Sequence, residues 1–264
     1  MPKKRRVYRM TAAEKRKYVA AKLLESIAPY GYFLRYGAIW KYSMDGKYVV
    51  CISFHLGRIG DLIDIYIGFG SFFAPLEINE YVKHCLALSS MGLAYYVRNA
   101  GLGSPLLDIH LTFEEQVASI LPYFQNIIFP CLPKNDDLND YMHKAEQFMH
   151  LSTTAFDGVP YYVDIKEVAY AYLSLNHPEE ALRAVSQYAE QCRYAANEIA
   201  THADYYWYEN EKAVASWDKA SQEALSFKEA ISSGGRDLFE AEMAQREQTS
   251  ADLCRKFFHI PNSK

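Results

Sequence analysis

Residues 167–190 read EVAYAYLSLNHPEEALRAVSQYAE, a stretch with the pattern of two amphipathic helices joined by a short turn. Apolar side chains recur every three or four residues on both sides of the turn, as one buried helix face requires. Pro178 suits the first position of the second helix, where an N–H group would have no partner in any case. The sequence therefore predicts a helical hairpin that turns at Asn176, His177 and Pro178. The apolar positions are Val168, Tyr172 and Leu175 before the turn, and Ala181, Leu182, Val185 and Ala189 after it.

This hairpin resembles a tetratricopeptide repeat, whose pattern has a small residue, an aromatic residue and an alanine where Ala169, Tyr172 and Ala181 stand. The resemblance covers about one repeat. The family's usual turn glycine is Asn176 here, and its later small position is Tyr188. Because one pair of helices cannot bury its own apolar face, we expect the hairpin to pack on other helices or on a partner.

Four consecutive aromatic residues follow the hairpin: Tyr205, Tyr206, Trp207 and Tyr208. On a helix, side chains at about 100° intervals cannot all point into one core. Tyrosine and tryptophan are also enriched at binding hot spots. We therefore predict that these four residues contact another protein, with burial inside a helical bundle as the alternative. Two more helices, over residues 213–231 and 237–258, are predicted to complete this half.

The N-terminal half has the pattern of an antiparallel sheet between helices. Thr11 and Glu14 form a capping box that predicts a first helix. Alternating residues then predict strands over 34–42, 48–54, 63–69 and 107–111, with Asp45–Gly46 as a hairpin turn. The connections are too short for parallel crossovers. In the first strand we expect a core face of Leu34, Tyr36, Ala38, Trp40 and Tyr42, and a wetter face with Arg35 and Lys41.

The region that follows the strands is less regular. Residues 78–99 are ambiguous between helix and strand, and their spacing slightly favours a helix. Thr112 with Glu115 forms a second capping box, which predicts a helix over 113–129 despite Pro122. A further helix is predicted over 138–150, capped by Asp136 or Asp137.

The order of elements resembles an uncharacterised bacterial family that is defined only as a domain of unknown function. The resemblance covers roughly residues 10–190. It rests on a helix, a strand meander that ends in SFF (71–73), and a helix that leads into FPCLP (129–133). It implies an α+β fold and a bacterial source, and it assigns no catalytic residues. We predict a basic tail (1–10), an α+β sheet domain (11–157) and an all-α helical-hairpin domain (158–264).

Composition limits the classes of partner. A net charge of −4 and a pI near 6.1 argue against nucleic-acid binding by the chain as a whole. No apolar run is long enough to span a bilayer, and the first residues lack the apolar core of a secretory signal. Five separated cysteines without a C-x-x-C pair indicate reduced thiols. We therefore expect a cytoplasmic protein without a metal or cofactor.

No catalytic motif is found, so the first hypothesis is a non-enzymatic protein-interaction module, in a bacterial conflict or regulatory system. Self-association is left open. A second hypothesis is an enzyme with a pocket on the polar face of the sheet, lined by Arg35, His55 and Asp64. In this hypothesis Cys51 could act as a nucleophile together with His55 and Asp64. A third is nucleic-acid contact through the basic N-terminus. Its residues are Lys3, Lys4, Arg5 and Arg6.

Overall fold

The computed structural model describes residues 10–56, 63–74, 76–78, 86–87, 89–92, 112–155, 165–201 and 210–260. The helices are α1 (Ala12–Ile27), α2 (Phe113–Tyr123), α3 (Leu138–Ala155), α4 (Ile165–Ser174), α5 (Pro178–Thr201), α6 (Asn210–Gly234) and α7 (Glu240–Phe258). The strands are β1 (Phe33–Arg35), β2 (Ala38–Ser43), β3 (Tyr48–Leu56), β4 (Ile63–Ser71), β5 (Glu77–Ile78), β6 (Leu86–Ala87) and β7 (Ser89–Gly92). Strands lie in the N-terminal part and helices dominate the rest, which confirms the predicted α+β class.

The main sheet has the order β1-β2-β3-β4-β7 and is antiparallel throughout, while β5 and β6 form a separate antiparallel pair. The weak preference for a helix over 78–99 is wrong for the described residues, since Leu86–Ala87 and Ser89–Gly92 are strands. Pairing with β4 decides the conformation of β7, and such a long-range contact leaves little local signal. The predicted strand over 107–111 lies outside the described residues.

The predicted first strand is in fact a hairpin, because the chain reverses at Tyr36 and Gly37. Both residues have positive φ, 52° and 76°, as the tight two-residue hairpin turn requires. The turn pairs Arg35 with Ala38. Since paired residues share a face of the sheet, Arg35 lies on the same face as Ala38, and the prediction that they oppose each other is wrong.

Both faces of the sheet are packed, so the expected wetter face is also wrong. Lys41, predicted on that face, is only 1% exposed. The first face packs against α1, whose inward side chains Val19, Ala20, Leu23 and Ile27 are fully buried. The second face packs against α7. Its core contains Trp40, Val49 and Cys51 from the sheet and Ala251, Cys254, Phe257 and Phe258 from the helix.

Polar contacts also join α7 to the sheet. Arg246 donates to the carbonyl oxygen of Phe73 at 3.0 Å, and the Ser250 hydroxyl donates to that of Ala74 at 2.9 Å. Lys47 and Glu247 form an ion pair at 2.9 Å. The C-terminal helix is thus attached to the N-terminal sheet, although the predicted domain boundary at 157 falls outside the described residues.

Local capping signals locate the helix starts. Both predicted capping boxes are present, at Thr11 with Glu14 and at Thr112 with Glu115. The Asp137 carboxylate accepts hydrogen bonds from two backbone N–H groups at the start of α3. The α-helical pattern of α2 ends at Tyr123, directly after Pro122, and continues as a π turn over Phe124–Ile128. No helix in the described part of the chain is both long and apolar enough to cross a membrane.

The predicted hairpin is confirmed as α4 and α5. Asn176 has φ of 62°, and its N–H donates to the carbonyl of Leu173 at 3.1 Å, while the N–H of His177 donates to that of Tyr172 at 2.9 Å. Asparagine tolerates this left-handed conformation better than most residues, and it replaces glycine at such helix ends.

Substitution of Asn176 tests this conformation. Asn176→Ala should lower the free energy of unfolding by about 1 kcal/mol, since a Cβ-bearing residue without a locally bonding side chain is strained there. The exposed side chain leaves no cavity. Asn176→Gly is the matched control and should change it by less than about 0.5 kcal/mol. Urea denaturation measures both, and equal losses in the two variants would contradict the interpretation.

Candidate functional site

Arg35, the first residue of the predicted enzyme pocket, binds the C-terminal end of α7. Its Nη1 donates to the carbonyl oxygen of Phe258 at 2.9 Å, and its Nη2 donates to the Tyr36 hydroxyl at 3.2 Å. The Tyr36 hydroxyl lies 3.1 Å from Nε2 of His259. A cation at the C-terminal carbonyls of a helix opposes the negative end of its dipole. Arg35 therefore has a structural role as a cap of α7.

His55 and Asp64 are direct partners in the register of β3 and β4. Their side chains lie outside the described part of the structure. Cys51 is buried and pairs with Trp40 and Gly68 in the register. Residues four apart on one strand are about 13 Å apart, which is too far for a hydrogen bond between a thiol and an imidazole. The structure therefore does not bring Cys51 and His55 together as a nucleophile and its base.

The other described thiols are also poor nucleophiles. Burial raises the pKa of Cys254 to about 12. Burial likewise raises the pKa of Cys192 and of Cys131. A thiol with a raised pKa stays protonated at neutral pH and reacts slowly. Among the described residues, no group of three or more His, Cys, Asp and Glu side chains could hold a metal ion.

A buried polar cluster surrounds Lys41. Its ammonium group contacts three acceptors: the carbonyl oxygens of Tyr30 at 2.8 Å and Lys134 at 3.0 Å, and Oδ1 of Asp136 at 3.1 Å. The Tyr48 hydroxyl donates to the carbonyl of Asn135 at 2.6 Å. Burial, with smaller effects from nearby aspartates, raises the pKa of Tyr48 well above its ordinary value. All three ammonium N–H groups of Lys41 have an acceptor. The cluster therefore stabilises the fold, and the ammonium group is not available for catalysis.

The predicted partner-binding residues, Tyr205 to Tyr208, lie outside the described residues, as do Lys3 to Arg6. The two helices that flank the aromatic run are described. They are α5, which ends at Thr201, and α6, which begins at Asn210.

Helices α5 and α6 must run antiparallel. The Ser221 hydroxyl donates to the carbonyl oxygen of Ala189 at 2.9 Å, which fixes one level of the pair. In a parallel pair, Thr201 would lie about 18 Å beyond this level and Asn210 about 17 Å before it. The chain between these two residues can span at most about 32 Å, which is shorter than that separation. Thr201 and Asn210 therefore lie at the same end of the pair.

The two ends of this helix pair differ in what they contact. We call the end with the start of α5 the inner part, and the end with Thr201 and Asn210 the outer part. Toward the start of α5, Ala181, Val185 and Ala189 belong to the main core, as do Ala224 and Ile231 of α6. In the outer part, the described residues 211–220 of α6 are each exposed or half-buried. The outer part thus forms a two-helix arm, which we define as residues 192–201 of α5 and 210–220 of α6.

Small side chains allow the two helices of the arm to pack closely. Cys192, Ala195 and Ala196 of α5 are buried. On α6, Ala213, Val214 and Trp217 are half-buried at helical spacing. The two helices can therefore shield a thin apolar seam, but two helices alone cannot cover large aromatic side chains.

Two aromatic side chains lie near the base of the arm, where it joins the inner part of the helix pair. Tyr194 is 44% exposed although it is a large aromatic residue. In the antiparallel register set by Ala189 and Ser221, it lies close to the level of Trp217. Sequence reasoning missed both residues. A count of aromatic side chains within eleven residues of the run 205–208 would have found them.

Comparisons of this chain with protein-family models, with curated proteins and with solved structures find no match. The resemblances to a tetratricopeptide repeat and to an uncharacterised bacterial family therefore stay hypotheses that rest on local residue patterns. The function has to be inferred from the residues of the chain itself.

Proposed function

We propose that this protein is a non-enzymatic interaction module that binds another protein through the arm. The observation that carries the proposal is the exposure of Tyr194, 44%, on a two-helix arm whose connecting segment contains Tyr205, Tyr206, Trp207 and Tyr208. Tyrosine and tryptophan bury large areas and keep a polar atom for hydrogen bonding, which suits a surface that is wet when free and covered when bound.

The charges on the arm are consistent with a protein partner. Arg193, Glu211, Lys212, Asp218 and Lys219 are exposed, so both signs are present beside the aromatic residues. A polar rim of mixed charge around aromatic side chains is the usual composition of a protein–protein interface. The enzyme hypothesis has less support, because Arg35 is held by the end of α7.

We place the protein in the cytoplasm of a bacterium, as part of a conflict or regulatory system. The location is supported by the four described cysteines, which are all free thiols. Disulfides would be expected in an oxidising compartment. The bacterial source rests on the order of elements in the sequence.

Site-specific cross-linking tests the proposed interface. A photoreactive phenylalanine analogue at Tyr194 should give a discrete cross-linked product in cells, and mass spectrometry should identify a second protein in it. The same analogue at Gln222, an exposed position of α6 in the inner part of the pair, is the matched control and should not give that product. The double variant Tyr206→Ala and Trp207→Ala should reduce the yield from Tyr194 at unchanged helical circular dichroism.

Three outcomes would contradict this proposal. One is the absence of a discrete product at Tyr194, and another is the same product from both positions. The third is a product that contains only two copies of this chain, which would make self-association the function of the arm.

A further inference from the structure

We draw no further inference here: the strongest candidate, the surface patch of Tyr30, Leu34 and Tyr36 along β1 at the edge of the main sheet, carries nothing, because nothing in the structure shows what covers it.

Discussion

Lys41→Met is expected to lower the free energy of unfolding by about 3 kcal/mol, because it removes a buried ammonium group that contacts two backbone carbonyls and a carboxylate. The lysine is 1% exposed and lies on β2, the second strand of the main sheet. Its ammonium group joins the carbonyl of Tyr30, after α1, to the carbonyl of Lys134 and the carboxylate of Asp136, before α3. The methionine would fill a similar volume, so the loss reports on the polar contacts and less on packing.

Urea denaturation of the two proteins measures this difference. The control is Asp136→Asn, which removes the ion pair but leaves both carbonyl contacts. Because the Asp136 side chain is 70% exposed, its loss should cost less than about 1 kcal/mol. If Lys41→Met were as stable as the unaltered protein, the carbonyl oxygens would have to be satisfied by water. The lysine would then not hold these segments together.

The elements that could be predicted from the sequence are those with a complete local signal. A capping box needs only two residues three apart, as at Thr11 and Thr112, and both helix starts are confirmed. The α4–α5 hairpin is also local, since Asn176 provides the left-handed residue and Pro178 starts the next helix. In each case the side chain and the backbone group it satisfies lie within one helical turn.

The elements that were missed depend on contacts distant in the sequence or on an uncommon conformation. Tyr36 adopts positive φ, which few tyrosines do, so the alternating pattern of the first strand concealed a turn. The burial of Lys41 depends on acceptors from two other segments. The covering of the second sheet face was not predicted because Arg35 and Phe258 are 223 residues apart in the sequence.

The candidate site was predictable in composition but not in position. The run from Tyr205 to Tyr208 is visible as four consecutive aromatic letters. The arm that carries it becomes apparent only from the contact between Ala189 and Ser221 and from the exposure of residues 211–220. Small residues such as Ala195 and Ala196 gave no functional signal, although they let the two helices approach closely.

Phe258→Ala is expected to have the largest effect on stability, about 3 to 5 kcal/mol. The side chain is 4% exposed. Its ring centre lies 4.7 Å from that of Tyr42 in a stacked arrangement, and 5.5 and 5.7 Å from those of Trp40 and Phe33 in edge-to-face arrangements. Truncation removes these ring contacts and leaves a cavity between α7 and the sheet, which neighbouring aromatic rings cannot easily fill.

The same variant separates ring packing from the cap on α7. Arg35 donates to the backbone carbonyl of residue 258, so that hydrogen bond can persist in Phe258→Ala. Leu238→Ala is the control, because a side chain that is 58% exposed should cost no more than about 0.5 kcal/mol. Amide hydrogen exchange should show a larger loss of protection in α7 than in α4 and α5. A loss of stability below about 1 kcal/mol would show that the polar contacts of Arg35, Arg246 and Ser250, and not the rings, hold α7 on the sheet.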